Sequence, residues 1–290
     1  MTPERRFRFG AVTGFGRTGQ DWVATARQVE ELGFSTLLCP DTTGTFAPFQ
    51  ALAAAAAATT TLRVGTYVLA APLRTPGSVA WETASLDVLS GGRFELGIGA
   101  GRPAAADDAS RLAVPFGTGA ERVSRVEQTI DAVRARYGGS DETGRHDAVR
   151  GVQQPVPPVL LAGTGPRMLR LAAREASVLA LGLPPQSTED DLAATVDRTR
   201  DIAGSAFDRL ELNLNVALVG DQVPPHAASW LGTDPQELIR GGSITVLVGT
   251  PRQMADTLLR RRDRSAVSYV SVNAMFVHTF APVIELLAGA

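Results

Sequence analysis

Residues 61–102 read TLRVGTYVLAAPLRTPGSVAWETASLDVLSGGRFELGIGAGR, and this stretch decides the fold. Residues 62–68 form a short, β-branched apolar run and residues 94–98 form a second one, and both are typical of buried strands. Between them lies a stripe with three- and four-residue spacing, as on one face of a helix: Val79, Thr83, Leu86 and Leu89. A strand, a helix and a strand joined by short links predict a right-handed parallel βαβ unit.

The second predicted strand ends in three glycines, Gly97, Gly99 and Gly101. Folds with parallel strands place ligands at the carboxyl ends of those strands, and a backbone without Cβ atoms lets a planar ring or a phosphate approach closely. The alternative is that these glycines only permit tight packing inside a barrel. The pattern is not the dinucleotide fingerprint, because Arg102-Pro103 and a polar loop follow it instead of a helix.

The composition bounds the class of protein. A chain of 290 residues with 44% hydrophobic residues fits one large α/β barrel or two small domains. The formal net charge of −2 offers no basic surface for nucleic acid, and the single cysteine excludes an internal disulfide and suits a reducing cytoplasm. We find no apolar run of about 18 residues and no signal peptide. We therefore expect a cytoplasmic protein without a membrane segment.

The rest of the chain alternates in the same way as the opening stretch. The predicted strands are residues 7–12, 35–39, 62–68, 94–98, 159–162, 178–181, 210–219 and 267–272. Eight strands interleaved with helices predict a single (β/α)8 barrel, a TIM barrel, over residues 1–290. Residues 103–118 show no periodicity and are predicted to be a loop. Residues 137–154 are polar and glycine-rich, which indicates an exposed link.

Several linked motifs resemble one family, the luciferase-like flavin or deazaflavin oxidoreductases. The motifs are Gly65-Thr66-Tyr67-Val68, Arg74 and Pro76 before a helix, Leu86-Asp87, Ser90-Gly91-Gly92-Arg93 and Gly97-Ile98-Gly99-Ala100-Gly101. The resemblance implies a TIM barrel that transfers hydride. Residues 34–41 and 58–66 are most similar to actinobacterial members that use coenzyme F420, a deazaflavin. The family usually has a longer insertion at residues 137–154 that helps cover the substrate, so the short link implies a more open or differently lidded pocket.

The resemblance also implies site residues at the carboxyl ends of the strands. The cofactor-binding candidates are Thr42, Tyr67, Val68, Gly99, Gly101, Arg102, Gly163, Thr164 and Gly165. From their positions after strands, the substrate-binding candidates are Phe15, Arg74 and His278, with a cap of the last helix as the alternative for His278. The family has an unusual cis peptide bond against the flavin ring, which maps to Tyr67-Val68. Gly163, Thr164 and Gly165 precede a helix whose free N–H groups would bind cofactor phosphate, although a plain strand-to-helix turn is the alternative.

Two positions depart from the family pattern. Deazaflavin-dependent members often carry a histidine after the second-strand acid and a glutamate after the fourth-strand glycines, and Thr42 and Arg102 stand there in this chain. Neither side chain exchanges protons near neutral pH. Asp41 and Tyr67 remain as the catalytic candidates. Arg102 suits an anionic substrate or a phosphate, and a solvated loop arginine is the alternative.

The histidines and the cysteine carry weaker signals. His146 is predicted in the exposed link and His226 at the start of a short helix. No spacing of histidine, cysteine and acidic residues predicts a metal site. Cys39 is predicted to be a small buried hydrophobe.

Three functions remain open. The first is an F420-dependent oxidoreductase that transfers a hydride to or from a small organic substrate. The second is a monooxygenase that uses reduced FMN and oxygen and depends on a partner flavin or F420 reductase. The third is a family member without redox chemistry, either a binding protein or a non-redox biosynthetic catalyst. Because the family often pairs through barrel helices, we also expect a homodimer.

Overall fold

Eight parallel strands close into a barrel. The computed structural model describes residues 5–138, 149–225 and 227–289. The strands of the described residues are β1 (Arg8–Val12), β2 (Thr36–Cys39), β3 (Arg63–Thr66), β4 (Leu69–Ala70), β5 (Phe94–Gly99), β6 (Val159–Ala162), β7 (Val178–Ala180), β8 (Glu211–Val216), β9 (Leu218–Val219), β10 (Val246–Leu247) and β11 (Val267–Asn273). In the barrel β3 and β4 count as one interrupted strand, and β9 and β10 form a separate sheet. β1 pairs with both β2 and β11, and β3 pairs with β5, so the sheet closes on itself. The predicted (β/α)8 barrel is confirmed.

Helices surround the barrel. They are α1 (Gly19–Glu31), α2 (Pro48–Ala58), α3 (Pro76–Leu89), α4 (Ala105–Arg111), α5 (Gly119–Gly138), α6 (Pro166–Glu175), α7 (Glu189–Ala203), α8 (Ala227–Leu231), α9 (Pro235–Arg240), α10 (Pro251–Ser265) and α11 (Val277–Leu287). Local sequence sets several of their starts. The Thr75 hydroxyl accepts a hydrogen bond from Ser78 N at the start of α3, and Thr250 and Gln253 form a capping box at the start of α10. No helix in the described ranges is long and apolar enough to cross a membrane.

The structure corrects the predicted loop at residues 103–118. These residues contain α4, a helix of only seven residues, which is too short for a repeating apolar stripe to be visible. Ala105 and Ala109 of α4 pack against Ala70 and Leu73, so small side chains bring this helix close to the end of β4. The structure also adds a small sheet in which β10 pairs with β9, outside the barrel.

Ion pairs close the barrel at the amino-terminal ends of its strands. Glu95 is buried in the interior, and its carboxylate accepts hydrogen bonds from Arg8 (3.0 and 3.2 Å) and from Arg63 Nε (2.5 Å). The Arg8 guanidinium also stacks over the Tyr269 ring, 4.2 Å from its centroid. A buried carboxylate is stable only when it is paired and hydrogen-bonded, and Glu95 meets this condition.

One buried carboxylate holds the described part of the predicted link. Asp87 on α3 accepts hydrogen bonds from the Tyr137 hydroxyl (3.0 Å), from Val152 N (2.7 Å), and from Gln153 N and Nε2 (2.9 and 2.7 Å). Gln153 also donates to the carbonyl of Phe94, the first residue of β5. Residues 152–153 therefore lie at the amino-terminal ends of the strands. The described part of the link therefore does not cover the carboxyl ends, which agrees with the more open or differently lidded pocket that its shortness implied.

A second carboxylate organises the turn between α2 and β3. Glu30 Oε1 on α1 accepts from the backbone N–H groups of Thr60 (2.9 Å), Thr61 (2.6 Å) and Leu62 (2.8 Å). Burial alone would raise the pKa of Glu30, but these donors outweigh it and lower the pKa from 4.5 to about 2. The folded chain therefore stabilises the ionised form of Glu30 more than the unfolded chain does.

We predict that Glu30→Gln makes the chain less stable at neutral pH and that this deficit disappears in acid. The folded-state pKa lies below the unfolded one, so the stabilisation by the charge is complete above about pH 4.5 and is lost as the pH falls toward about 2. Urea unfolding of both proteins across this range measures the deficit. Glu31→Gln, which removes an exposed charge on the same helix, is the control. A deficit that does not change with pH would contradict the assignment.

Candidate active site

A cavity of about 520 Å³ opens at the carboxyl ends of the barrel strands. It is lined by Val12, Pro40, Asp41, Thr42, Tyr67, Val68, Ala70, Gly99, Ala100, Gly101, Arg102, Ala104, Ala105, Asp108, Ala162, Gly163, Met168, Gly182 and Asn215. This is the end of the barrel at which such folds place their active sites. Most of the lining side chains are small and apolar, with a few polar groups between them, as in sites for organic ligands.

One wall of the cavity is nearly free of long side chains. The peptide bond between Tyr67 and Val68 is cis, at the position that the family resemblance implied. Val68 and the backbone of Gly99 lie next to each other there, because a Cβ atom on Gly99 would stand 3.2 Å from Val68 Cγ2. Ala162 and Gly163 at the end of β6 continue this wall. A planar ring can lie flat against such a surface.

Gly97 serves packing and does not line the cavity. A Cβ atom on Gly97 would lie 1.9 Å from the carbonyl oxygen of Thr66, so no other residue fits. The Thr66 hydroxyl donates to Gly97 O (2.7 Å) and accepts from Gly97 N (2.8 Å). Of the two explanations for the glycine series, tight packing therefore applies to Gly97, while Gly99 and Gly101 line the cavity.

Tyr67 crosses the barrel interior and forms part of the cavity floor. Its hydroxyl donates to Asn213 Oδ1 (2.6 Å) on β8, which lies opposite β3 in the closed sheet. Its ring packs on a cluster of buried side chains that includes Leu38, Leu160 and Tyr269. Burial raises the pKa of Tyr67 to about 12. The phenol is therefore protonated and already donating at neutral pH, which fits a structural role better than the predicted proton transfer.

Two inward-facing amides on β8 were missed by the sequence analysis. Asn213 is fully buried, while Asn215 is exposed to the cavity and lines it. The Ser271 hydroxyl on β11 lies between them, 3.4 Å from Asn213 Nδ2 and 3.1 Å from Asn215 Oδ1. The signal was present in the alternation Leu-Asn-Leu-Asn-Val at residues 212–216, because alternate residues of a barrel strand point inward.

Asp41 lines the cavity, and an ion pair with Arg74 holds its carboxylate in place. Its Oδ2 atom accepts hydrogen bonds from Arg74 Nη1 and from Ala70 N (3.1 Å). Its Oδ1 atom makes no hydrogen bond with the described residues. Arg74 orients this carboxylate and does not line the cavity, so its predicted contact with substrate is replaced here by a contact with Asp41.

The short helix α4 lies beside the mouth of the cavity. Asp108 on α4 accepts from Thr43 N (3.1 Å) and the Thr43 hydroxyl (2.5 Å), which ties this helix to the loop after β2. The Thr43 hydroxyl bond is the main cause that lowers the pKa of Asp108, and Arg111 and Arg102 lower it further. Arg102 is exposed and lines the cavity, as does Thr42. These are the positions at which the family pattern has a glutamate and a histidine.

The structure brings together eight of the predicted site residues: Asp41, Thr42, Tyr67, Val68, Gly99, Gly101, Arg102 and Gly163. Thr164 and Gly165 follow Gly163 outside the lining, and Gly165 caps α6 without a side-chain bond. Phe15 is 68% exposed on the loop after β1, and His278 is exposed in the first turn of α11. Neither lines the cavity. His146 and His226 lie outside the described residues.

The described residues contain no group of histidine, cysteine and acidic side chains that could hold a metal ion. Cys39 is fully buried, and burial is the first cause that raises the pKa of its thiol to about 12, with the charge of Asp41 as a second. The thiol is therefore neutral at physiological pH, as its predicted role as a small hydrophobe requires.

The comparisons with known proteins agree with this geometry. The sequence profile of the luciferase-like monooxygenase family matches residues 6–221, so the chain belongs to that family. A solved structure of a coenzyme F420-dependent tetrahydromethanopterin reductase from Methanopyrus kandleri superimposes with a TM-score of 0.76 over 96% of this chain and 97% of its own, at 15% identity. At that identity the match shows the fold alone.

Two curated relatives are similar in sequence over part of the chain. An F420-dependent glucose-6-phosphate dehydrogenase of Beutenbergia cavernae is 33% identical over 171 residues, which cover 53% of this chain and 50% of that protein. A 4-hydroxyprotoasukamycin monooxygenase of Streptomyces nodosus subsp. asukaensis is 31% identical over 177 residues, which cover 55% and 46%. The chain thus spans about half the length of the curated relatives it matches.

We predict that Tyr67→Phe lowers the free energy of unfolding by about 1–3 kcal/mol, because Asn213 Oδ1 would be left buried without its donor. Urea unfolding measures this loss. Tyr269→Phe is the matched control, since among the described residues the buried Tyr269 hydroxyl faces only the Thr36 hydroxyl. Its removal leaves no buried amide oxygen without a donor and should therefore cost less. Equal losses in the two variants would contradict the role given to Tyr67.

Proposed function

We propose that this chain binds coenzyme F420 in the cavity and transfers a hydride between this cofactor and a small organic substrate. The observation that carries the proposal is the flat wall of Val68, Gly99, Ala162 and Gly163 at the carboxyl ends of β3, β5 and β6. A tricyclic ring fits against it without moving any long side chain. When bound, the deazaflavin supplies the carbon that accepts or donates the hydride.

The residues of the chain would hold such a cofactor by shape and by charge. The ring would rest on the wall, next to the Tyr67-Val68 peptide. Arg102 is the basic side chain in the lining, and its planar guanidinium suits a phosphate or a carboxylate of the cofactor. Gly163, which lines the cavity directly before α6, would bring the phosphate close to the free N–H groups of that helix.

Asp41 is the side chain that we assign to proton transfer. Its Oδ2 atom is held by Arg74 and Ala70 N, while its Oδ1 atom makes no hydrogen bond with the described residues. A substrate hydroxyl in the cavity could donate to that oxygen. Tyr67 is the weaker candidate, because its proton is donated to Asn213 and burial raises its pKa to about 12.

The relatives support the redox class but differ in cofactor. One is named as an F420-dependent dehydrogenase and another as a monooxygenase. Since Thr42 and Arg102 replace the histidine and the glutamate of the deazaflavin pattern, a monooxygenase that uses reduced FMN, oxygen and a partner reductase is the second candidate.

Titration of the purified chain with F420 and, separately, with FMN tests the proposal. We expect a saturable change in F420 fluorescence at micromolar concentration and no binding of FMN. Binding of FMN alone would replace the proposal by the monooxygenase. Binding of neither would favour a family member without redox chemistry.

We predict that Gly163→Asp weakens F420 binding at least about tenfold more than Gly163→Asn does. Gly163 has a φ of 142°, so both substitutions share the same backbone strain. Only the aspartate adds a negative charge near the proposed phosphate position. Fluorescence titration of the two variants isolates this charge, and circular dichroism checks that both fold. Equal affinities would remove the phosphate from this position.

We also propose that the chain forms a homodimer through α3. This helix exposes an uncharged stripe, in which Trp81 is 61% exposed, Val88 42% and Leu89 69%, with Ser85 between them. A charged partner would lose hydration against such a stripe without gaining an ion pair. A second copy of α3 offers a matching uncharged surface, and two-fold symmetry places the same residues on both sides of the contact.

We predict that Trp81→Glu converts the dimer into a monomer, because it would place two carboxylates at the centre of the contact. Sedimentation velocity at micromolar concentration measures the mass. Leu112→Glu adds the same charge at another exposed apolar residue, 48% exposed after α4, and should leave the dimer intact. A wild-type chain that sediments as a monomer would refute the proposal.

A further inference from the structure

We propose that Asn215 binds the oxygen atom of a neutral substrate, and that it can do so whether this oxygen belongs to a carbonyl or to a hydroxyl group. The inference rests on the proposed function in one respect, namely that the cavity holds the substrate of a redox reaction. It goes further by naming the contact and the substrate class. It rests on contacts within this chain alone.

The orientation of Asn213 is fixed by a group that can only accept. Asn213 Nδ2 lies 3.3 Å from the main-chain carbonyl oxygen of Tyr269, and a carbonyl oxygen cannot donate. The amide nitrogen must therefore face Tyr269, and Asn213 Oδ1 must face the Tyr67 hydroxyl at 2.6 Å. It follows that Tyr67 donates its only proton to Asn213 and keeps its oxygen free to accept another hydrogen bond.

The Ser271 hydroxyl can donate its proton to either of two acceptors. Its oxygen accepts from Asn213 Nδ2 at 3.4 Å. Its single proton can go to the Tyr67 oxygen at 3.2 Å or to Asn215 Oδ1 at 3.1 Å. These two distances are nearly equal, so geometry favours neither acceptor. Ser271 is fully buried and pairs with Asn215 in the register of β11 and β8, so the choice is not decided by bulk water.

The choice at Ser271 sets what Asn215 presents to the cavity. When Ser271 donates to Asn215 Oδ1, the amide NH₂ of Asn215 faces the cavity and can donate to a carbonyl oxygen. When Ser271 donates to Tyr67, the Asn215 amide can turn over and donate to Ser271, and its carbonyl then faces the cavity as an acceptor for a hydroxyl. Every buried polar atom of Tyr67, Asn213 and Ser271 keeps a partner in both arrangements.

The same amide can therefore serve both members of a ketone and alcohol pair. The neighbouring lining supports a neutral substrate, because Val12, Val68, Ala162 and Met168 are apolar. Of the two carboxylates of the lining, Asp108 is engaged by Thr43, and Asp41 is engaged through Oδ2 by Arg74, which leaves open only Oδ1, the atom assigned above to proton transfer. Ser271 is a positioning residue in this scheme, since it acts on the substrate only through Asn215.

Side-chain amide NMR of the ¹⁵N-labelled chain tests the inference, with cyclohexanone and cyclohexanol as the matched probes. The Asn215 NH₂ signals are assigned by their loss in Asn215→Leu. We expect each probe to shift these signals in a saturable way, both in the chain alone and in the chain loaded with F420. No shift with either probe up to its solubility limit would overturn the inference.

Asn215→Asp provides the sharper measurement, because a carboxylate accepts hydrogen bonds but cannot donate them. We expect its affinity for cyclohexanone to fall at least about tenfold, while its affinity for cyclohexanol changes less than about threefold. Ser271→Ala should lower the affinity for cyclohexanone and for cyclohexanol by a similar factor. If Asn215→Asp folds normally and its ratio of ketone to alcohol affinity is unchanged, the inference is overturned.

The outcomes also separate this inference from the proposed function. If F420 binds and the Asn215 signals do not respond to either probe, the substrate contact is wrong and the cofactor assignment stands. If the probes shift Asn215 and no cofactor binds, the contact stands and the redox function fails.

Discussion

The barrel depends on one close approach between β3 and β5. Register pairs join these strands only at Val64 with Phe94 and at Gly65 with Glu95. The next contact is made by a side chain, since the Thr66 hydroxyl binds both the N–H and the C=O of Gly97. The missing Cβ atom of Gly97 makes this approach possible. Directly beyond it the chain leaves the sheet at Tyr67-Val68 and pairs with β5 again through β4, so the same contact that closes the barrel also shapes the wall of the cavity.

The interior changes character along the barrel axis. At the amino-terminal end, Glu95 is held by Arg8 and Arg63 in a charged layer. At the carboxyl end, Tyr67, Asn213 and Ser271 form a neutral layer of hydroxyl and amide groups. Buried ion pairs tolerate little rearrangement, because separating the charges in a medium of low polarity is costly. Neutral hydrogen bonds can exchange partners with no net charge moved, so the flexible chemistry of the interior lies next to the cavity and the rigid part lies away from it.

The sequence was sufficient for the barrel because its longer helices show periodic apolar faces and its buried strands are short continuous apolar runs between them. It was insufficient for α4, which has seven residues, and for β9 and β10, which have two each. The backbone part of the candidate site followed from the glycine series and from the family resemblance. The amide part did not, because Tyr67 and Asn213 are 146 residues apart in the chain and their contact exists only once the barrel has closed. Phe15 and His278 do not line the cavity for a related reason, since a sequence pattern predicts the end of the barrel on which a residue lies but not the direction of its side chain.

Asp87 bears on how this fold can change over evolutionary time. It binds Tyr137 at the end of α5 and residues 152–153 before β6, so a single carboxylate holds the chain on both sides of the intervening segment. The entropic cost of closing a loop between two fixed points grows only with the logarithm of its length. Insertions and deletions between these points should therefore be nearly neutral for stability. Asp87 thus makes this position a natural site for acquiring new sequence.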